Sequence, residues 1–477
     1  MNIVRDIKYP ELAFRYGFLF RRVSDGIDVD FLRDWKRIEI DGFLLQLHPD
    51  TKVTVKATEV GTALLIGDAF VCVGDESIDD VLVKLLLGRN WDDLDRLAGR
   101  FALLLVRNGE CMVMHDPFGS RTVYYKLTSP FGVSSHAALL AAVFSCSIDK
   151  GAQSFIQMPE YRARGTSYLP GDATIYQDIK ALIPNNFFDS SLGKSCRFWP
   201  RRPVARTTMD EFLDACDLYF QRFADFLRNR YKPVLGVTGG VDTRAVIAGF
   251  MGKGLKVRLV TWTGGRLPDA EVSVVAQMVS HLNQPHEYIN PRTPITAVKL
   301  NHIADATRAA TGFCRETTKL LTANMGAIAQ DGEVFIRGYG GEIIRGFYNR
   351  HRANFGGDIV TEFFDLYKTS RVLSPRLEFT RFASNAIAEF VDRTDYDTKL
   401  HGLDLRDAYY WEQRMGVWGS NMLNEMDPAI YSMAGLNSRP LYEAAFGLPE
   451  KERLGAEIMI KITERYDRKF ARMKVSS

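Results

Sequence analysis

In Leu235-Gly-Val-Thr-Gly-Gly-Val-Asp-Thr-Arg244 an apolar run ends in a hydroxyl residue and two glycines, and an acidic residue falls in the first turn of the helical stretch that follows. At the carboxyl end of a buried strand this composition suits a phosphate chain. Val237 closes the strand, Gly239 and Gly240 allow a sharp turn and offer their N–H groups, and Thr238 and Thr243 add hydroxyl donors. Asp242 is out of place in an anion site unless a cation accompanies the ligand. Mg²⁺ shared between a carboxylate and phosphate oxygens resolves that conflict, so the loop predicts ATP with Mg²⁺. The chain has no Gly-x-x-x-x-Gly-Lys-Ser/Thr segment, and γ-phosphoryl transfer is therefore not implied. The competing reading is a turn that only joins a strand to a helix; the Asp and the second Thr speak against it.

A second glycine-rich segment, Gly338-Tyr-Gly-Gly-Glu342, follows the apolar run Val334 to Ile336. Thr238 to Thr243 resembles the Ser-Gly-Gly-x-Asp-Ser pyrophosphate loop of N-type ATP pyrophosphatases, with both serines replaced by threonine. Gly338 to Glu342 resembles the Gly-x-Gly-x-Asp signature of asparagine synthetases and their relatives. The resemblance implies that Gly338 lies at the nucleotide and that Asp242 and Glu342 share the metal. Ile343 stands where asparagine synthetases usually carry Glu, and Tyr339 is matched in the β-lactam synthetases, where a Tyr belongs to the base that deprotonates the attacking amine. A phenol of pKa roughly 10 serves so only if that value is lowered or a carboxylate lies beside it. Glu378 is the candidate partner, and Tyr packed under a glycine turn is the alternative. These relatives also use a Lys near the C-terminus. Asn437 to Tyr442 and Leu448-Pro449 resemble the approach to it, which makes Lys461 the candidate, with an ordinary helix lysine as the alternative.

The elements that must position these groups are legible around them. Pro233 to Val237, Val257 to Thr261 and Val334 to Ile336 read as strands, Thr243 to Phe250 and Asp269 to Leu282 as helices. Strands alternating with helices predict a parallel sheet. Thr208-Met-Asp-Glu211 has the form of a capping box, and Phe212, Cys216, Phe220, Phe223 and Leu227 recur on one helical face. Beyond Glu362 mainly helix is expected, with Arg465 to Ser477 fraying. Tyr409 to Trp418 is either an acceptor pocket or a packed aromatic helix.

Before the Pro- and Arg-rich linker Arg197 to Arg206 the pattern is different. Thr62 to Ile66, Phe70 to Val73, Phe101 to Val106, Cys111 to Met114 and Val123 to Tyr125 are short apolar runs, with turns expected at Gly67-Asp68, Asn108-Gly109 and Asp116-Pro117. Asn108-Gly109 is a type I′ hairpin signal. Leu97 to Phe101, His115 to Gly119 with Arg121, Tyr124-Tyr125, Ser135 to Leu139 and Thr174 to Ile179 resemble the glutaminase domain of asparagine synthetases. Such a domain uses a cysteine exposed after Met1 as nucleophile. Residue 2 is Asn2 and the first cysteine is Cys72, so glutamine is not the expected nitrogen source. The implied architecture is an α+β Ntn-hydrolase-like domain, an αββα sandwich, over 1–199, then an α/β adenine-nucleotide α-hydrolase-like domain with a parallel sheet over 208–477.

Composition limits the partners. The 477 residues exceed one compact core, and the 61 basic against 58 acidic side chains give +3, too balanced for a nucleic-acid or membrane surface. Cys72, Cys111, Cys146, Cys196, Cys216 and Cys314 contain no CxxC pair, and no apolar run approaches a membrane span, which suits the cytoplasm. The expected partner is a small molecule or peptide bearing a carboxylate and an amine; a homodimer is compatible with the sequence. The implied function is an AMP-forming carbon–nitrogen ligase that makes an amide through an acyl-adenylate, with intramolecular ring closure the leading version. The rivals are an asparagine synthetase fed by ammonia and an inactive scaffold paralogue.

Overall fold

The computed structural model describes residues 10–88, 90–263, 269–290, 316–351, 357–396 and 398–474. Met1, Asn2 and Cys314 lie outside them. Twelve strands come first: β1 (Phe18–Arg22), β2 (Lys36–Ile40), β3 (Phe43–Leu47), β4 (Val53–Thr58), β5 (Gly61–Val71), β6 (Leu97–Arg107), β7 (Glu110–His115), β8 (Tyr124–Lys126), β9 (Gly132–Ser134), β10 (Ile179–Ala181), β11 (Asn186–Asp189) and β12 (Lys194–Arg197). They form two six-stranded sheets, ordered β10-β8-β9-β1-β3-β2 and β12-β11-β7-β6-β5-β4.

Side-chain alternation stacks these sheets. Phe18, Phe20, Phe43 and Leu45 of one share a core with Leu64, Ile66, Leu104 and Val113 of the other. Leu65 and Leu103 turn to the opposite face, as a period of two requires. There the helix Ile78–Gly88 lies against β4 and β5, while the helix Ala137–Phe144 covers β8, β9 and β10. The result is an αββα layering of antiparallel sheets.

Asn108 and Gly109 take φ of 53° and 71° and join β6 to β7 as the hairpin signal predicts. Gly67-Asp68 is not a turn. β5 runs straight through it, pairing Gly67 with Phe101 and Asp68 with Arg100. Gly67 has φ of 107°, and a Cβ there would meet the Arg100 carbonyl at 2.4 Å. The glycine permits a close strand approach inside one long strand, a use that a turn signal imitates.

The helix Met209–Arg228 carries the expected capping box and buries Phe212, Cys216, Phe220, Phe223 and Leu227. A five-stranded sheet follows: β13 (Lys232–Gly236), β14 (Arg258–Trp262), β15 (His286–Ile289), β16 (Glu333–Arg337) and β17 (Ser432–Ala434), ordered β15-β14-β13-β16-β17. Every neighbouring pair is parallel. The chain moves outward from β13 to β14 and β15, then returns to the other side of β13. That reversal between β13 and β16 is where open parallel sheets bind ligands.

Of the segment expected to be a linker, Arg197 to Pro200 is buried, while Arg202, Pro203, Ala205 and Arg206 are exposed. Phe198 and Trp199 are buried, and Arg197, at the end of β12, grips both oxygens of Glu412 at 2.6 and 2.7 Å. Arg100 does the same to Asp427, at 2.6 and 2.7 Å, and adds Asn424 Oδ1 and the Ser432 carbonyl. Asn437 donates to Asp116 Oδ1 and accepts from the Phe118 N–H. Leu97 to Phe101 and His115 to Gly119 therefore form much of the seam between the sandwich and the parallel-sheet region. The C-terminal segment is also held. Arg244 donates to the carbonyls of Met473 and Lys474 at 2.7 and 3.0 Å, so the expected fraying is absent as far as Lys474.

Candidate functional site

A cleft of ≈ 230 Å³ opens at the carboxyl ends of β13, β14 and β16, lined by Thr238, Gly240, Asp242, Thr243, Trp262, Arg337, Gly338, Tyr339 and Glu342 among others. Both glycine-rich segments reach it. β13 delivers Thr238 to Thr243 and β16 delivers Gly338 to Glu342, and the parallel pairing of these two strands sets the segments side by side.

The first loop works differently from its sequence-based reading. Gly240 is the N-cap of the helix Val241–Gly252 and has an ordinary φ of −75°. A Cβ there would have only Thr238 Oγ1 nearby, at 3.4 Å, so glycine at this position leaves room instead of enabling a turn. Thr238 and Thr243 face each other across 3.4 Å between hydroxyls, and Thr238 Oγ1 accepts from the Gly240 N–H. Val237 does not line the cleft. Its N–H donates to the Val260 carbonyl and its own carbonyl accepts from Thr261, which leaves its backbone committed to the sheet.

Glycine is obligatory in the second segment. A Cβ on Gly338 would meet Thr243 Oγ1 at 2.7 Å, one on Gly341 would meet Asp242 Oδ1 at 2.5 Å, and Gly340, at φ of 99°, presses against the Leu436 carbonyl. These contacts bring Asp242 and Glu342 together. Burial, and next the nearby Asp242 charge, push the Glu342 carboxyl well above the usual range. Its Oε2 is buried with no hydrogen-bond partner. Asp242 is held by Arg345, whose Nε and Nη2 each donate to one of its oxygens at 2.7 Å.

An orphaned carboxylate oxygen beside a second carboxylate fits a divalent cation. Among the described residues no group of three His, Cys, Asp or Glu side chains could hold a metal alone. Two carboxylates suit Mg²⁺, which keeps waters and takes phosphate oxygens to complete its shell.

Tyr339 lies parallel to Phe118 at 5.8 Å and 7° between planes, with the Arg337 guanidinium 4.6 Å over its ring. Phe118 belongs to the His115–Gly119 segment, so the sandwich region supplies a ring behind the cleft. Burial raises the Tyr339 phenol, opposite to what a resting base needs. Glu378 is not beside it. It is exposed in the first turn of the helix Leu377–Arg393, and does not line the cleft. Lys461 is half-buried on the helix Glu457–Tyr466, which packs against the loop helix Val241–Gly252; it too is absent from the lining.

Trp262 and Arg345 were missed by sequence reasoning. Trp262 is the last residue of β14 and stands edge-on to Phe335 at 5.3 Å, with its indole N–H buried and unpartnered. The signal was available, since Trp262 directly follows the predicted strand Val257 to Thr261, at the carboxyl edge where open parallel sheets bind ligands. Arg345 offered no signal, because an arginine after a short helical turn reads as surface.

The aromatic stretch is mostly packing. Tyr410–Gly419 is a π-helix, with Trp411 fully buried and donating to the Pro117 carbonyl. Cys72 sits just past β5, not in a strand; it is wholly buried and its thiol is pushed up to about 11 by that burial, which removes it as a nucleophile. No helix among the described residues is long and apolar enough to cross a membrane.

No family model matches the chain, and no curated protein does. Among solved structures, the NMN synthetase of Francisella tularensis is 13% identical, over 43% of this chain and 94% of its own, with a TM-score of 0.23. The glutamine phosphoribosylpyrophosphate amidotransferase of B. subtilis, complexed with ADP and GMP, is 13% identical over 71% of this chain and 72% of its own, TM-score 0.23. The glutamine-dependent NAD⁺ synthetase of Acinetobacter baumannii, in complex with ADP, is 11% identical over 55% and 65%, TM-score 0.22.

Proposed function

We propose that this chain is an ATP-dependent, AMP-forming ligase that activates a substrate carboxylate as an acyl-adenylate and passes it to a substrate amine. The observation that carries the reading is the meeting of Asp242 and Glu342, from two separate strand ends, at the sheet's reversal point, with Glu342 Oε2 buried and unpartnered. Asp242 and Glu342 would hold Mg²⁺, which when bound neutralises the polyphosphate and makes pyrophosphate a better leaving group. The chain's own groups do the rest. Thr238, Thr243 and the backbone at Gly239 and Gly240 orient the phosphates, the Gly240 N–H turning from Thr238 Oγ1 to a phosphate oxygen, and Trp262 offers a flat ring to the base. Phe118, stacked on Tyr339, backs the acyl end.

In this reading the nitrogen comes from the substrate, intramolecularly in its leading version; among the described residues no cysteine lines the cleft. The sandwich then serves as a scaffold. The Arg345–Asp242 pair is the observation that favours the rival reading, a binding paralogue without turnover. Incubation with Mg-ATP and small metabolites or peptides from the source cells, followed by mass spectrometry, separates the two. AMP, pyrophosphate and a product lighter than its parents by one water support a ligase; nucleotide binding without AMP supports the binding paralogue.

Trp262→Ala is expected to weaken ATP binding by about tenfold or more, since stacking on a base is worth roughly 1–3 kcal/mol. Calorimetric titration checks it, and an unchanged Kd would place the base elsewhere. Tyr339→Phe is expected to keep turnover within about tenfold and leave the pH profile unmoved, because a phenol raised by burial stays neutral near pH 7. Tyr339→Ala, which removes the ring stacked on Phe118, should cost more. A larger loss in the Phe variant, with a lost basic limb, would restore Tyr339 as the base.

A further inference from the structure

Arg345 is built into the site more firmly than a surface ion pair. Its side chain is 7% exposed, both of its donated hydrogen bonds go to the two oxygens of Asp242, and the guanidinium lies 5.6 Å from the Phe347 ring. Its third nitrogen, Nη1, is buried with no partner. The guanidinium takes one acceptor site on each Asp242 oxygen and sets a positive charge against the carboxylate that a divalent ion would need. A planar fork matched to a carboxylate is a strong, directional competitor for them.

Two cations therefore contend for one carboxylate. A free divalent ion would have to displace the guanidinium and leave it buried without an anion, which is costly. An ion that arrives with a polyphosphate brings anionic oxygens for the guanidinium to take, and Nη1 is already a free donor. Glu342 Oε2 does not take up Arg345 in this arrangement: it and Arg345 Nη1 are both buried without a hydrogen-bond partner.

We propose that Arg345 is a placeholder cation: it keeps Asp242 closed to free divalent ions and releases it only to a metal carried by a polyphosphate, whose oxygens then receive the guanidinium. The proposal rests on the nucleotide reading of the cleft. It makes metal entry conditional on nucleotide and assigns Arg345 to the phosphates afterwards.

The test uses Mn²⁺ alone as probe, followed by electron paramagnetic resonance on the full chain without nucleotide. Arg345→Gln is expected to bind Mn²⁺ about ten- to a hundredfold more tightly than the unsubstituted chain, the worth of charge-assisted hydrogen bonds. The gain should vanish in Arg345→Gln combined with Asp242→Asn. A non-hydrolysable ATP analogue should raise the Mn²⁺ affinity of the unsubstituted chain far more than that of Arg345→Gln. Circular dichroism and thermal melting confirm folding; should the Gln variant not fold, Arg345→Lys, which keeps a charge but not the fork, is expected to show a smaller gain. Equal Mn²⁺ affinity with and without Arg345, or a gain that survives loss of Asp242, overturns the proposal. If ATP does not bind the unsubstituted chain at all, the functional reading fails, while the Mn²⁺ comparison still decides whether Arg345 guards Asp242.

Discussion

Asp242→Asn is expected to reduce substrate-dependent pyrophosphate release by about a thousandfold or more, while the chain stays folded. A metal's stabilisation of developing charge is worth several kcal/mol, and each ~1.4 kcal/mol is tenfold in rate. Asn keeps the shape of Asp and one acceptor for Arg345, so the two glycine-rich segments should remain in place against each other. What it loses is the negative charge that would face a metal, and the second acceptor. Pyrophosphate release measured by a coupled assay, beside a thermal melt, separates catalytic from structural loss. A loss below tenfold would mean that Asp242 holds no metal in the reaction, and that the Arg345 pair is its whole role.

Asp427→Ala is expected to destabilise the protein by about 3–5 kcal/mol, because it strands the Arg100 guanidinium in the interior. Arg100 and Asp427 are 0% and 2% exposed in their side chains, so water cannot replace the lost partner. The damage should reach the cleft. Residues 424–432 lead into β17, which pairs with β16, the strand that carries Gly338 to Glu342. Denaturant titration reads the stability change. Replacing both partners, Arg100→Met with Asp427→Leu, should recover most of it, since the penalty belongs to the unpaired charge. A loss under about 1 kcal/mol in the single variant would show that the seam relaxes enough to admit water.

The two glycine-rich segments that line the cleft were legible because their requirements are local. The Asn108-Gly109 hairpin, the Thr208–Glu211 capping box and the two strand-to-glycine transitions each depend on a few consecutive residues. β15 and β17 were not legible. His286–Ile289 has only its last residue buried and so lacks an apolar signature, and three-residue β17 lies in a region dominated by helix. Gly67 shows the ambiguity of glycine, which marks a turn and a close strand approach alike. The roles assigned to Glu378 and Lys461 failed to meet the cleft for another reason. A partner across tens of residues is chosen by the fold, and side-chain type alone does not report which helix face will turn toward a site. Arg345 escaped for the same reason, although only three residues from Glu342.

The most direct measurement is a crystal structure with Mg²⁺ and an ATP analogue that cannot be cleaved between the α and β phosphates. The account predicts one metal bridging Asp242 and Glu342, the polyphosphate on the N–H groups between Thr238 and Thr243, and Arg345 moved from Asp242 onto phosphate oxygen. A nucleotide bound away from this cleft, or a metal site that leaves Glu342 Oε2 without a ligand, would contradict it.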